Sequence, residues 1–221
     1  MTLGALSVSN CQPSCSHRCA ARAAERRLGV PDCIEDSVRQ PAKQSAFEDD
    51  ILLHIPEGGF QYEWVRGEIM AVSEPDPIHG YVGVELAAVL RNHVKAHDLG
   101  KVFGLDTFFL VRRLPRTVYG ADVAFVAKDR MTEPLAHGVW AIAPDLVAEV
   151  RSPSDRRGIL RKKVSDYVEA GVRLVWVVDP AARTVNVHRI REPVRVLSAA
   201  DSLDGDDVVP GFRCSVASLF P

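Results

Sequence analysis

The 221-residue sequence predicts an α/β fold, in which helices flank a mixed central β-sheet. Two segments carry apolar residues at helical spacing, and short runs rich in Val, Leu and Phe alternate with them. The second helical segment stands between two nearly uniform apolar runs, 145–150 and 173–179, which are typical of buried strands. A helical crossover joins parallel strands, whereas short turns join antiparallel ones. The sheet should therefore contain both kinds of neighbour.

A β-hairpin is the first predicted element. The segment 61–73 (QYEWVRGEIMAVS) alternates apolar and polar residues and breaks at Arg66-Gly67, which suits a tight turn. The turn should place Glu63 and Glu68 on facing strands.

Spacing and capping residues indicate the later elements. A helix is expected from His79 to His97, with Gly100 ending it. In the SPSD segment, Pro153 suits a first helical position and Asp155 follows Ser152 by three residues, so a second helix should run from there to Ala170. The predicted strands are 101–111, 121–127, 145–150, 173–179 and the TVNVHR run from Thr184.

The first 46 residues differ in composition from the rest. All the Phe, Trp and Tyr residues lie from Phe47 onward, and a segment with so little to build a core from cannot offset its ordering entropy. We therefore expect residues 1–46 to be a variable, disordered extension and 47–221 to be the folded domain. The four cysteines of the extension lack the CxxC spacing of most structural zinc sites, so zinc is not expected there (Cys11, Cys15, Cys19 and Cys33).

Overall composition argues against two classes of protein. With 27 basic and 29 acidic residues the net charge is −2, which disfavours a generic, charge-driven nucleic-acid binder but leaves a local basic site open. No apolar run approaches the roughly 18 residues that span a bilayer. The sequence start lacks a basic region before an uninterrupted apolar stretch, so a cytoplasmic setting is the default expectation.

The sequence contains no GxGxxG, GxxxxGK[ST], HExxH or GxSxG motif. The remaining candidate catalytic residues are carboxylates. Glu149 lies inside the apolar LVAEV run, where a lone carboxylate costs several kcal/mol unless a cation or donor meets it. Asp122 opens another apolar strand, and two neighbouring strands can direct both carboxylates at one divalent cation such as Mg²⁺. A solvated or capping carboxylate is the alternative for Asp122.

The second helix supplies a lysine close to these acids. On a helical wheel Lys163 borders the buried face, whereas Lys162 points to water. A lysine there could orient a water molecule or offset charge in a transition state, and a surface lysine with a partly buried stem is the alternative.

An ordered series of motifs carries a resemblance: YEWVRGEI, the step Pro77-Ile78-His79, YGADVAFV, PDLVAEVRSPSD, Lys163 four residues before Tyr167, and LVWVVDP. Over about residues 47–190 the sequence resembles the Uma family of "putative restriction endonucleases", within the PD-(D/E)XK nuclease superfamily. The resemblance implies a restriction-endonuclease-like sheet and hydrolysis of phosphodiester bonds with Mg²⁺ or Mn²⁺. The substrate would be nucleic acid, with DNA expected. Related nucleases often use two active sites for two strands, so a homodimer is also compatible with it.

The resemblance also implies roles for particular residues. Asp122 and Glu149 match the two metal-binding acids, and Lys163 matches the lysine that this family places on the following helix. Glu68 and His79 match positions near the site, where they could hold a second ion or orient the phosphate.

Some positions depart from the family pattern. Tyr119 and Ala121 stand where Arg and Pro usually precede the first Asp, and Ile159 replaces an Asp before the helix lysine. Arg151 occupies the usual superfamily lysine position, two residues after the acid, and a guanidinium does not deprotonate. These departures keep open a second hypothesis, a catalytically inactive nuclease fold that binds nucleic acid or a protein partner.

A basic segment could contact the phosphate backbone. Between residues 151 and 163 six basic residues are opposed only by Asp155, and four of them are candidate nucleic-acid contacts: Arg156, Arg157, Arg161 and Lys162. A solvated helix face is the alternative.

Overall fold

A computed structural model describes residues 62–72, 76–131, 135, 138–153, 155 and 157–221, without the side chains of residues 105, 106 and 157. All of them fall within the unit Lys43–Pro221. The expected extension 1–46, its cysteines and Arg156 lie outside the described residues.

Ten strands and two α-helices form within the described residues, together with short 3₁₀ helices at Lys128–Arg130 and Val216–Leu219. The helices are α1 (Pro77–Ala96) and α2 (Arg157–Glu169). The strands are β1 (Tyr62–Val65), β2 (Glu68–Ala71), β3 (Gly100–Arg112), β4 (Thr117–Ala127), β5 (Leu146–Val150), β6 (Leu174–Asp179), β7 (Thr184–His188), β8 (Arg195–Leu197), β9 (Ser202–Asp204) and β10 (Arg213–Ser215). Neither helix combines the length and apolar character that a bilayer crossing requires.

The central sheet has eight strands, in the order β2-β1-β4-β5-β6-β7-β8, with β3 also paired to β4. β5 and β6 are parallel and joined through α2, whereas the other paired neighbours in this sheet are antiparallel. The predicted mixed α/β sheet and its crossover are therefore confirmed. β9 and β10 pair separately.

The hairpin is confirmed, with its turn where the sequence placed it. Arg66 has φ 54° and Gly67 has φ 90°. Positive φ at both central residues is the requirement of a two-residue type I′ turn, whose twist matches that of the flanking strands.

Two helix boundaries differ from the prediction. The first helix ends at Ala96, and Gly100 begins β3, where φ is 150° and a Cβ would lie 2.1 Å from the Val126 carbonyl oxygen. The second helix begins at Arg157 rather than at Pro153. Asp155 accepts a hydrogen bond from the Ser152 N–H at 2.8 Å, so the capping-box acid closes a turn that precedes the helix.

The sheet carries an apolar layer on each face because its buried strands alternate sides. On one face α1 packs with Leu86 and Leu90 against a cluster that includes Trp176. On the other face α2 packs with Val164 and Tyr167 among neighbours that include Phe109 and Val175. Each large apolar side chain buried in this way contributes about 1.5–3 kcal/mol. These two layers fix the helices over the strands that carry the candidate site.

Candidate active site

The site lies along β4, in the gap between the strands β1 and β5 that pair with it. β1 pairs with β4 at Trp64–Val118, and β5 pairs with the same edge of β4 from Val123 to Phe125. The β4 residues between these contacts, 119–122, therefore lie between the two strands. On the opposite edge, two β3 residues (105 and 106) face Asp122 alone, which is a β-bulge. Bulges re-aim side chains, and this one coincides with the first candidate acid.

The Asp122 carboxylate is held by backbone and by α1. Its Oδ2 accepts a hydrogen bond from the Val150 N–H at 2.7 Å and lies 3.2 Å from His79 Nε2. The hydrogen bond to Asp122 is the largest cause of a raised pKa at His79. Asp76 caps α1 by accepting from the His79 N–H at 2.7 Å, which fixes this residue in the first turn. Oδ1 of Asp122 accepts no hydrogen bond from the described residues.

Lys163 joins three segments of the sheet. Its Nζ donates to Glu149 Oε2 at 2.8 Å and to the Gly120 carbonyl at 3.0 Å, and it lies 2.8 Å from Glu63 Oε1. An ammonium has three N–H donors, so all three have partners although the residue is only 9% exposed. Burial lowers the pKa of Lys163, but the charges of Glu149, Glu63 and Asp122 outweigh this effect and raise it well above its ordinary value. Lys163 is therefore protonated at neutral pH.

Glu149 is the most enclosed acid of the site, at 5% exposure. Its Oε2 accepts the hydrogen bond from Lys163 Nζ, and its Oε1 accepts one from the Tyr167 hydroxyl at 2.8 Å. Burial raises the pKa of Glu149 to about 8, and the charges of Asp122 and Glu63 add to the rise while Lys163 opposes it. Without a further cation, burial therefore favours the protonated form of Glu149 at neutral pH.

The site has the donor chemistry of a divalent-cation site, although no cation geometry is formed. Within the described residues, no group of three or more His, Cys, Asp or Glu side chains is arranged to hold a metal ion. Three carboxylates nevertheless surround one ammonium, and hard cations such as Mg²⁺ prefer oxygen ligands. Among the described residues, Oδ1 of Asp122 has no hydrogen-bond partner, and the Asp122 side chain is 20% exposed, so the residues fit such an ion.

A second buried carboxylate joins α2 to β3, to β4 and to the turn between β1 and β2. Asp166, one turn after Lys163, is 1% exposed. It accepts hydrogen bonds from the Tyr119 hydroxyl at 2.7 Å, from Arg66 at 3.0 Å and from Arg112 at 3.2 Å. The Tyr119 ring also lies under the Lys163 ammonium, 5.4 Å from its centroid. Tyr119, which departs from the family pattern, is thus a structural partner of α2.

The hairpin contributes a different acid from the one predicted. Glu68 is exposed on β2 opposite Val65, and its side chain makes no hydrogen bond or ion pair with another described residue. Glu63 instead reaches Lys163, and its Oε1 also accepts from the Gly120 N–H at 3.1 Å. Strand alternation does not distinguish the two acids, because Glu63 shares a face with Val65 and Glu68 lies directly opposite Val65.

The basic residues of 151–163 do not form one surface. Arg151 pairs with Asp179 and Lys163 is buried in the acid cluster. Arg161 and Lys162 are exposed on α2, as is Ile159, and the side chain of Arg157 lies outside the described part. Tyr167 lies one turn after Lys163 on the same helix, and this spacing predicts that it faces the same strand.

The parallel strands β5 and β6 and the helix α2 that joins them carry the acid and the lysine of the site. Together with the sheet order, this arrangement defines a restriction-endonuclease-like α/β protein. A solved structure supports this fold: a "putative nuclease belonging to DUF820" from Anabaena variabilis superposes with a TM-score of 0.67 at 21% identity, covering 77% of this chain and 95% of that one. The chain belongs to the Uma2 family, described as "putative restriction endonuclease", which matches residues 49–217. No curated protein matches the chain.

Proposed function

We propose that the protein is a metal-dependent endonuclease that hydrolyses phosphodiester bonds in nucleic acid, with DNA as the substrate. The observation that carries the proposal is the contact of Lys163 with Glu149, together with an Asp122 oxygen, Oδ1, that accepts no hydrogen bond from the described residues. Acids on adjacent strands and a buried cation from the next helix bring positive and negative groups to one point, as phosphoryl transfer requires.

Asp122 and Glu149 would hold Mg²⁺ or Mn²⁺, with Glu63 as a further carboxylate close to them. When bound, such an ion polarises the scissile phosphate and lowers the pKa of a coordinated water molecule. A bound cation would oppose the burial and the neighbouring carboxylates that raise the pKa of Glu149, and would so favour its ionised form.

Lys163 acts as a charge and hydrogen-bond donor in this proposal. Its raised pKa keeps it protonated, so it cannot remove a proton from water at neutral pH. A phosphate oxygen can replace one of its three present acceptors, and the ammonium then offsets negative charge as the P–O bond breaks.

His79 has a supporting role, because its ring contacts the same Asp122 oxygen as the Val150 N–H. These two contacts hold the carboxylate in one orientation, with Oδ1 left for a ligand. Arg161 and Lys162 on the exposed side of α2 would contact substrate phosphates, together with Arg156 and Arg157.

The proposal is tested with one sequence prepared as duplex DNA, single-stranded DNA and RNA. Each is incubated with the full-length protein in Mg²⁺, in Mn²⁺ or in excess chelator. We expect cleavage of DNA in either metal and none in chelator. Cleavage that persists in chelator, or that is confined to RNA, would overturn the metal dependence or the substrate.

A second candidate function is nucleic-acid binding without cleavage. It is favoured by the engagement of both Glu149 oxygens and by the lack of a three-ligand metal group within the described residues. It predicts no cleavage in either metal, with binding that weakens steeply as salt rises.

A further inference from the structure

A groove opens beside α2 on the face of the sheet that carries Glu149. It has a volume of about 780 Å³, within the range of small-molecule sites. Its apolar walls come from α2 (Leu160, Val164), from Val177 on β6 and from Val194. Polar side chains of β7, Asn186 and His188, also line it.

The groove and the candidate active site share one cross-strand row. Glu149 pairs with Val177, Val177 pairs with Asn186, and Asn186 pairs with Val196. Residues directly opposite each other lie on the same face of a sheet. Asn186 is two strand spacings from Glu149, roughly 10 Å, which is about three nucleotide steps along a stacked strand.

The groove offers neutral hydrogen-bonding groups between apolar walls. No hydrogen bond joins the side chains of Asn186 or His188 to another described residue. Burial lowers the pKa of His188, so its ring is neutral at pH 7 and has one donor and one acceptor. Arg151 is already paired with Asp179 at one end, so this ion pair adds no net charge.

An uncharged, flat, hydrogen-bonding ligand attached to phosphate fits these features. A nucleobase stacks against apolar side chains and presents donors and acceptors at its edge, which Asn reads well. Arg161 at the rim lies two residues before the buried Lys163 on the same helix and can contact the attached phosphate.

We propose that the groove binds an unpaired base of the substrate strand, a few nucleotides from the scissile phosphate, with Asn186 and His188 contacting its edge. This inference rests on the proposed function for its substrate. It adds a base-binding subsite to a site otherwise built for the phosphate backbone.

The test blocks the groove from an exposed helix position. Ser165 lines the groove from α2, is exposed, and its hydroxyl contacts only the neighbouring Glu169 among the described residues. Ser165→Trp fills the groove, and Ser165→Ala is its matched control because both lose that hydroxyl. Full-length proteins that also carry Asp122→Asn, which prevents cleavage, are titrated in Mg²⁺ with a labelled eight-nucleotide adenine strand and with the same backbone lacking bases.

With an open groove, including in Ser165→Ala, the strand with bases should bind about tenfold more tightly than the abasic strand. With Ser165→Trp the two strands should bind within about twofold of each other. The same preference in Ser165→Trp and Ser165→Ala would overturn the inference, as would equal binding of both strands with the groove open. A change in oligomeric mass caused by Ser165→Trp, with no base preference in the control, would assign the groove to protein contact instead.

The outcomes separate the two proposals. A wild-type chain that cleaves with Mg²⁺ but shows no base preference overturns the groove alone. A chain that never cleaves, but whose base preference is lost in Ser165→Trp, overturns the endonuclease and supports the groove.

Discussion

Lys163 donates a 2.8 Å hydrogen bond to Glu149 although the two residues are 14 positions apart in the chain. The position two residues after Glu149 belongs to Arg151, which turns to Asp179. The helix lysine therefore occupies the place beside the acid that Arg151 leaves. The crossover from β5 through α2 to β6 makes this contact possible.

Removing the Lys163 charge should destabilise the protein. Lys163→Met leaves Glu149 and Glu63 buried without their cation, and breaking a buried pair in this way costs about 3–5 kcal/mol. Urea unfolding at pH 9, above the raised pKa of Glu149, measures the loss. The double variant Glu149→Gln/Lys163→Met should be more stable than Lys163→Met, because one of the unpaired charges is gone. Equal stability of Lys163→Met and the wild type would contradict this account of the cluster.

The two hairpin acids should differ in their effect on cleavage. Glu63→Gln removes a carboxylate that lies 2.8 Å from Lys163 and should lower the metal-dependent rate by about tenfold to a hundredfold, as supporting residues of metal sites do. Glu68→Gln, on the exposed strand of the same hairpin, should leave the rate within about twofold. If Glu68→Gln were the more damaging change, the family position of Glu68 would be the functional one.

Asp166 should contribute to stability more than any one of its partners. Asp166→Ala removes three hydrogen bonds at once and leaves the buried Tyr119 hydroxyl without its acceptor, which should cost about 2–3 kcal/mol of unfolding free energy. Tyr119→Phe removes a single hydrogen bond and should cost about 1 kcal/mol. Chemical denaturation of both variants provides the comparison. Similar small losses in the two variants would mean that Asp166 does not fasten α2.

The stability of the metal-free protein should fall as pH rises from about 5 to 8. The pKa of Glu149 is raised to about 8 in the folded protein, above its ordinary value of 4.5, so between these values the folded state binds more protons than the unfolded state. The raised pKa of His79 acts in the same direction from its ordinary value upward. Denaturation in chelator at pH 5, 6.5 and 8 measures the slope. Glu149→Gln should flatten it, and stability that rises over this range in the wild type would contradict the prediction.

Periodicity predicted the central architecture because it reports which side of an element is buried. Thus α1, the buried strands β5 and β6, and the placement of Lys163 at the edge of a buried face agree with the structure. The short strands β8, β9 and β10 were not predicted, since three residues carry too little alternation to detect.

The candidate site was only partly predictable for a different reason. Asp122 and Glu149 come together through the register of β4 and β5, and His79 reaches Asp122 from α1. The bulge opposite Asp122 leaves no mark in the residue pattern. Glu63 enters the site because β1 and β5 share an edge of β4, which depends on long-range pairing. Tyr119 could not be interpreted alone, because its hydroxyl partner Asp166 lies 47 residues away.

The central claim is that Asp122, Glu149 and Lys163 form a metal-dependent nuclease site, and plasmid nicking tests it most directly. Wild type, Asp122→Ala and Lys163→Ala are purified identically, together with Asp98→Asn, an exposed control whose positive φ asparagine tolerates. The account predicts Mg²⁺-dependent nicking by the wild type and Asp98→Asn, and at least a hundredfold slower nicking by the two site variants. Equal nicking by all four proteins would contradict it.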